Sequence, residues 1–240
     1  MPQKKTDKIK SVNKLLMKKF GPPPKNKKLP DAVDMLIATI LSQNTNDNNS
    51  YKAFQNLRAK FKSWDEAASA KRTSIEKEIR VAGLGFQKSK AIKEFLREIK
   101  KKKGTISLNH LKELNDSAAI EDLINYNGIG VKTASCVLLF ALERNICPVD
   151  THVHRTVNRL GITNTKAPDK TFFNLNENFP TGIAHQFHTN LIRLGREICK
   201  PKNPICGACP LSKLCEFEEK NFELKIPDAE KSFMLLDNVN

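Results

Sequence analysis

Two glycines that flank one isoleucine, Gly128-Ile129-Gly130, constrain this chain more than any other feature of its sequence. Glycine reaches positive φ angles and has no Cβ, so the pair permits a sharp turn and a close approach to another surface. An apolar run, residues 134–142, follows and predicts a helix that starts near Val131. The pattern therefore predicts a hairpin between two helices, with Ile129 directed into the core.

A turn of this kind at a helix N-terminus can bind an anion. The first-turn amides have no intrahelical acceptor, and the helix dipole favours negative charge at this end. Taken alone, a Gly-x-Gly is more often an ordinary turn. A nucleotide-binding P-loop is excluded because no glycine directly precedes Lys132, and a dinucleotide-binding turn is excluded because the third glycine is absent. In a basic chain, the natural anion is a nucleic-acid phosphate.

Two residues near the hairpin have reactive side chains. Lys132 falls in the first turn of the predicted helix, where the positive end of the dipole penalises an ammonium, and a neutral amine can form a Schiff base with a sugar carbon. Apolar residues follow Asp150 at helical spacing, which makes Asp150 the expected N-cap of another helix. In the plainest interpretation Lys132 is a solvated surface residue and Asp150 only caps the helix that follows it. In the functional interpretation the carboxylate deprotonates the amine and stabilises a cationic sugar.

The hairpin and the aspartate together resemble a known family. The run NGIGVKT at residues 127–133, followed by PVDTHVHR at residues 148–155, is similar to the helix-hairpin-helix and Gly/Pro-Asp signature of the endonuclease III family of DNA glycosylases, in the HhH-GPD superfamily. The resemblance implies that Lys132 is the nucleophile and Asp150 its partner. The family usually has Leu-Pro before the first hairpin glycine, where this chain has Tyr-Asn at residues 126–127.

The same resemblance implies which residues contact DNA. Three hairpin residues would bring their amides to a phosphate: Gly128, Gly130 and Val131. In related enzymes one residue after the second helix enters the duplex where the base has left, and here that residue is either Gln43 or Asn44. A cap and loop is the plainer interpretation of that polar segment. Leu84, in a Gly-Leu-Gly turn, corresponds to a second inserted residue, although an exposed loop leucine is commonplace.

Four cysteines near the C-terminus predict a metal centre. They are separated by six, two and five residues, as Cys199, Cys206, Cys209 and Cys215. Because the chain shows no secretory signal, metal explains four clustered thiols better than disulfides do. Spacing alone leaves zinc and a [4Fe–4S] cluster open, since zinc usually takes paired short-spaced ligands and this segment has one such pair. The resemblance favours [4Fe–4S], because the same spacing forms the cluster loop of the endonuclease III family.

The rest of the chain predicts an all-α fold, because apolar residues recur at helical spacing without the sustained alternation of strands. We predict helices at residues 9–20, 31–42, 49–61, 64–70, 75–80, 88–103, 109–114, 117–123, 153–160, 169–179 and 183–197. Residues before 9 are expected to be disordered.

The resemblance implies two helical domains. A barrel-like six-helix domain would contain the helix-hairpin-helix, and a smaller helical domain would contain the iron–sulfur cluster loop. A basic N-terminal segment would add one helix to the cluster domain, and a tail would end the chain. We place the basic segment at residues 1–28 and the six-helix domain at residues 29–146. The cluster domain would follow at residues 147–218, and the tail at residues 219–240.

Composition indicates a protein with an anionic partner. The chain has 41 Lys and Arg against 26 Asp and Glu, a net charge of +15, which favours a nucleic acid or another anionic surface as partner. No apolar stretch reaches the ~20 residues that span a bilayer. These features predict an intracellular protein, and the resemblance implies a DNA-associated monomer that binds double-stranded DNA with a damaged, mispaired or abasic nucleotide.

The predicted function is a bifunctional DNA glycosylase and AP lyase of base excision repair. It would remove damaged pyrimidines, in particular oxidised ones, and nick the strand by β-elimination. Two alternatives stay open: a glycosylase for uracil or thymine opposite guanine, and a DNA-binding module without catalysis. Lys132 favours oxidised pyrimidines, because mismatch enzymes of this family often lack the hairpin lysine. The sequence does not identify the preferred lesion.

Overall fold

The computed structural model describes residues 2–25, 28–223 and 239, and these residues form eleven α-helices and no strand, which confirms the predicted all-α fold. The helices are α1 (Pro2–Phe20), α2 (Ala32–Leu41), α3 (Asp47–Lys60), α4 (Trp64–Ser69), α5 (Arg72–Ile79), α6 (Gly85–Lys103), α7 (Asp116–Ile124), α8 (Val131–Phe140), α9 (Thr151–Arg159), α10 (Pro168–Asn176) and α11 (Ala184–Glu197). Short 3-10 helices lie at Arg80–Ala82, Asn109–Glu113 and Cys206–Ala208.

The chain divides into two compact units. The hairpin unit comprises Lys25–Arg144 and Phe233–Asn240, and the cysteine-loop unit comprises Met1–Pro24 and Asn145–Ser232. The described part of the hairpin unit contains α2 to α8, and that of the cysteine-loop unit contains α1 and α9 to α11. Within the described part of the chain, no helix has the length and apolar character needed to cross a membrane.

Two helices form the centre of the hairpin unit. Nearly every residue of α2 and of α8 is buried, and the two helices pack against each other. A helix that is apolar on all sides gains most from burial in the middle of a domain. Asp31 is the N-cap of α2, and its side chain accepts hydrogen bonds from the amides of Val33 and Asp34. The core of this unit therefore fixes the N-terminus of α8, which directly follows the glycine turn.

In the cysteine-loop unit, α11 packs against both α1 and α9. The expectation of a disordered N-terminal tip is wrong, because α1 already begins at Pro2. Tertiary hydrogen bonds account for the longer helix. The Thr6 hydroxyl donates to the carbonyl of Asn178 at 3.1 Å, and the Lys5 ammonium donates to the carbonyl of Asn174. These partners are distant in sequence, so local periodicity could not reveal them.

Candidate functional site

The predicted hairpin connects α7 to α8, and its two glycines have different roles. Gly128 has a φ of 81°, and a Cβ at this position would lie 2.7 Å from the Cβ of Ala91 in α6. Gly130 has a φ of −99°, and a Cβ there would meet nothing within 4 Å. Ile129 is 5% exposed, which confirms its predicted inward direction. Gly128 thus permits the close approach to α6, and Gly130 leaves open space before α8.

The N-terminus of α8 has no side-chain cap. Gly130 is the N-cap residue, and Lys132 follows as the second residue of the helix, with a half-buried side chain. The hydroxyl of Ser135 donates to the carbonyl of Lys132 at 3.0 Å, within the first turn. Amides of an uncapped first turn can donate hydrogen bonds to an external anion. The geometry therefore agrees with a phosphate-binding hairpin and places a lysine at its edge.

Side-chain contacts with α6 hold the segment in which this chain departs from the family pattern. Tyr126 is 2% exposed and meets the ring of Phe95 edge-on, with centroids 5.2 Å apart. The Lys102 ammonium lies 4.6 Å from the centroid of the tyrosine ring. The Asn127 amide donates to a Glu94 carboxylate oxygen at 2.8 Å. These contacts restrain the hairpin where the family usually has Leu-Pro.

The polar segment after α2 contains both candidates for the first inserted residue. Gln43 is half-buried, and its amide donates to the Thr133 hydroxyl of α8 at 3.5 Å. Asn44 is exposed and has a φ of 50°. A positive φ is uncommon outside glycine, although asparagine tolerates it better than most residues. Gln43 thus contacts α8 at Thr133, whereas Asn44 forms the turn that follows.

The second candidate insertion segment exposes two large apolar side chains. Leu84 is the N-cap of α6, with a φ of 51° and 44% exposure. Phe86, which no sequence signal singled out, is 54% exposed. The guanidinium of Arg72 lies 4.4 Å from its ring centroid and pairs with Glu76 at 2.6 Å. Because Leu84 takes the left-handed conformation, α6 starts at Gly85 rather than at the predicted residue 88.

Asp150 is the N-cap of α9, as predicted. Its Oδ1 accepts a hydrogen bond from the amide of Val153 at 2.8 Å, and its side chain is half-buried. The preceding segment is fixed by Asn176, whose side chain accepts from the Cys147 amide at 2.7 Å and donates to the Cys147 carbonyl at 3.0 Å. Lys132 belongs to the hairpin unit and Asp150 to the cysteine-loop unit, and each is held by contacts within its own unit.

The four clustered cysteines are partly exposed thiols in one irregular segment after α11. Burial, and to a smaller extent the charges of Cys199, Cys215 and Cys206, raise the pKa of the Cys209 thiol to about 11. The four sulfurs are therefore near enough to influence one another. Among the described residues no group of three or more His, Cys, Asp or Glu side chains is arranged to hold a metal ion. Four thiols on one short segment are a donor set that both zinc and an iron–sulfur cluster accept, and a bound cationic centre would stabilise their thiolates.

Helix α9 holds the start of this cysteine loop through two arginines that the sequence analysis did not single out. Arg155 donates to the carbonyls of Cys199 and Gly195, each at 2.9 Å. Arg159 lies 3.4 Å from the Cys199 sulfur and donates to the carbonyl of Lys200 at 2.8 Å. The helix that Asp150 caps at its N-terminus thus supports the cysteine loop at its other end.

Comparison with known proteins agrees with this architecture. Residues 37–181 match the HhH-GPD superfamily of base excision DNA repair proteins. Endonuclease III of Thermotoga maritima is 35% identical over 209 residues, which are 87% of this chain and 92% of that protein. A structure of a non-covalent endonuclease III–DNA complex has a TM-score of 0.73 at 25% identity and covers 90% of this chain and 95% of its own. A thermostable thymine-DNA glycosylase also reaches 0.73 at 23% identity, with 90% and 96% covered, so the fold does not define the substrate.

Proposed function

Because this chain belongs to the HhH-GPD superfamily of base excision DNA repair proteins, we propose that it excises oxidised pyrimidines from duplex DNA and then nicks the strand, with Lys132 as nucleophile. Its relatives support the general function, a DNA glycosylase with AP lyase activity. The observation that carries the finer proposal is the position of Lys132, half-buried at the uncapped start of α8 and directly after the glycine turn. A mismatch glycosylase or a binding module would not need an amine there.

The proposed reaction begins when the damaged base leaves the stack, which costs least for a damaged or mispaired base. The neutral amine of Lys132 attacks C1′ of the sugar, the glycosidic bond breaks and the base departs. We assign to Asp150 the removal of the proton from the amine and the stabilisation of the cationic sugar. The nitrogen lone pair then forms the C=N bond of a Schiff base as the C1′–O4′ bond breaks and O4′ takes up a proton. The Schiff base makes the proton at C2′ acidic, so β-elimination expels the 3′ phosphate and nicks the strand.

We assign the DNA contacts to three segments of the hairpin unit. The hairpin amides, at Gly128, Gly130 and Val131, would bind a backbone phosphate. Gln43 or Asn44 would fill the space that the extruded base leaves, and Leu84 would enter the duplex from the second segment. The contact between Gln43 and Thr133, the residue that follows Lys132 in the sequence, supports Gln43 as the first inserted residue. Excision by Gln43→Ala and Asn44→Ala variants distinguishes the two.

We further propose that Cys199, Cys206, Cys209 and Cys215 bind a [4Fe–4S] cluster. The bound cluster would cross-link a segment that has little regular structure, and base excision would not need its redox chemistry. Iron and sulfide should be present in the purified protein and absent from the Cys209→Ser variant. Zinc in place of iron and sulfide would contradict the assignment.

Lys132→Gln tests the nucleophile. The variant should bind a duplex with a damaged base but should neither excise the base nor form a covalent adduct that borohydride traps, because an amide cannot form a Schiff base. Lys112→Gln, which removes an exposed lysine from the same unit, should behave like the wild type. An adduct that persists in Lys132→Gln would exclude the assignment.

A panel of duplexes separates the proposed function from its alternatives. Excision of thymine glycol followed by a nick supports the oxidised-pyrimidine enzyme, whereas excision of uracil or thymine opposite guanine alone supports a mismatch glycosylase. Tight binding without excision of any base, and without nicking at an abasic site, supports a DNA-binding module. We expect the active species to be a monomer that works on DNA inside the cell.

A further inference from the structure

One lysine is buried in the hairpin unit although its charge is costly there. Lys88, in the first turn of α6, is 2% exposed and is among the largest fully buried side chains of the described residues. Lysine is almost never fully buried unless it has partners, and an apolar side chain of similar volume often fills such a position at lower cost. The burial of a lysine at position 88 therefore needs a structural or functional explanation.

The Lys88 ammonium joins the ends of two helices. Its Nζ donates to the carbonyl of Leu41 and to the carbonyl of Ala82, each at 2.8 Å. Leu41 is the last residue of α2, and Ala82 is the last residue of the 3-10 helix that precedes α6. Carbonyls at a helix C-terminus lack intrahelical donors and carry partial negative charge. One side chain thus caps two helix ends that are distant in sequence.

The segments that follow these two carbonyls are the two proposed insertion segments. Gln43 and Asn44 begin one residue after the end of α2, and Leu84 lies one residue after the end of the 3-10 helix, with Ser42 and Gly83 as the intervening C-cap residues. Asn44 and Leu84 both have positive φ angles, 50° and 51°. Such conformations in residues other than glycine persist only where the surrounding structure determines them. Lys88 supplies a restraint at the base of each segment.

We propose that Lys88 is a positioning residue that fixes the two insertion segments relative to each other, so that both can enter the duplex when a base is extruded. This inference rests on the proposed function, because it takes the two segments to be those that enter DNA. Lys88 does not contact the reacting sugar in this assignment. Its loss should therefore impair base extrusion more than the chemistry of Lys132.

The test compares two activities of the full chain. Lys88→Met keeps the length and apolar packing of the side chain but loses both hydrogen bonds. In single turnover, excision of a damaged base from a duplex should slow by about tenfold or more, since hydrogen bonds of a charged group are among the stronger ones. Nicking at a preformed abasic site, which has no base to extrude, should slow by less than about threefold.

A matched control separates positioning from stability. Ile99→Ala removes a buried side chain near the other end of α6 and should destabilise the unit through a cavity. At a temperature where the Ile99→Ala variant is folded, its ratio of base excision to nicking at an abasic site should equal that of the wild type. Equal slowing of both activities in Lys88→Met, with the same ratio as in Ile99→Ala, would show that Lys88 only stabilises the fold and would overturn the proposal.

The remaining outcomes also decide the question. If Lys88→Met does not fold, Lys88→Gln provides the same comparison, because its amide retains donors that can reach one carbonyl. Failure of both variants to fold would overturn the proposal, since Lys88 would then be a stability residue. A wild-type protein that neither excises nor nicks would refute the proposed function itself, and that result is distinct from a changed ratio.

Discussion

Asp150 shows how one carboxylate can serve the fold and the reaction at the same time. It accepts the Val153 amide and so caps α9, which is a sufficient structural reason for an aspartate. The cap also keeps the side chain in one orientation, as a residue acting on a cationic sugar requires. The hydrogen bond alone therefore does not separate the structural role of Asp150 from its catalytic role. Substitution by asparagine removes only the negative charge, whereas substitution by alanine removes both the charge and the cap.

We predict that Asp150→Asn keeps stability and loses activity. Asparagine is as good an N-cap as aspartate, so the free energy of unfolding should change by less than about 0.5 kcal/mol. The loss of the negative charge should slow single-turnover excision by about a hundredfold or more. Asp150→Ala should be equally slow and also less stable by about 1 kcal/mol. If Asp150→Asn were as active as the wild type, Asp150 would be only a cap.

Lys88 predicts a pH dependence of stability. Burial lowers the pKa of Lys88 to about 8 from 10.5. Below pH 8 both the folded and the unfolded chain bind this proton. Between the two pKa values the unfolded chain binds it and the folded chain does not, so folding becomes more favourable as pH rises. The wild type should gain up to about 2 kcal/mol relative to Lys88→Met between about pH 7 and 9.5. Urea unfolding of both proteins at both pH values measures the gain. The prediction would be contradicted if the difference in the free energy of unfolding between wild type and Lys88→Met did not change with pH.

At the scale of elements, α6 is the support on which the hairpin rests. Ala91 admits the backbone of Gly128, Phe95 packs on Tyr126, and Glu94 binds Asn127. Three successive hairpin residues thus contact one helix. This support explains how the turn keeps its shape without the Leu-Pro pair that the family usually has.

The two hairpin glycines should respond differently to substitution by alanine. Gly128→Ala places a Cβ against Ala91 and forces a positive φ, so it should lower the free energy of unfolding by about 2 to 4 kcal/mol. Gly130→Ala should change it by less than about 1 kcal/mol, because its Cβ meets open space. If a phosphate approaches there, however, Gly130→Ala should weaken DNA binding about fivefold or more. Urea unfolding and duplex titration test both variants, and normal binding by Gly130→Ala would argue against a phosphate at the hairpin.

Features that depend on local chemistry could be predicted from the sequence. The helices follow from apolar periodicity, the cap at Asp150 from the residue type and the pattern behind it, and the inward Ile129 from its two glycines. The start of α1 could not be predicted, because it depends on the contact of Thr6 with Asn178. The burial of Lys88 was equally hidden, because its partner Leu41 lies 47 residues away.

At the scale of the whole molecule, the positive charge is spread over both units. The net charge of +15 should attract DNA from any direction. Binding in one fixed position on the duplex requires particular lysines to contact particular phosphates. Two lysines of the cysteine loop, Lys202 and Lys213, are exposed. Helix α1 presents lysines as well, among them the exposed Lys10 and Lys14. These two pairs carry the same charge but belong to different elements of one unit.

The salt dependence of DNA binding should distinguish the two pairs of lysines. Each lysine that neutralises a phosphate steepens the fall of log K with log salt by about 0.9, because it releases a condensed counterion. If the cysteine loop holds its lysines on the DNA backbone, Lys202→Gln with Lys213→Gln should make the slope shallower by about 1.8. Lys10→Gln with Lys14→Gln lowers the net charge by the same amount and should change the slope by less than about 0.5 if α1 does not contact phosphates. Titrations of a labelled duplex over a range of salt concentrations measure both slopes. Equal changes in the two double variants would mean that the cysteine loop contributes only diffuse charge, and would remove DNA contact as a reason for its folded shape.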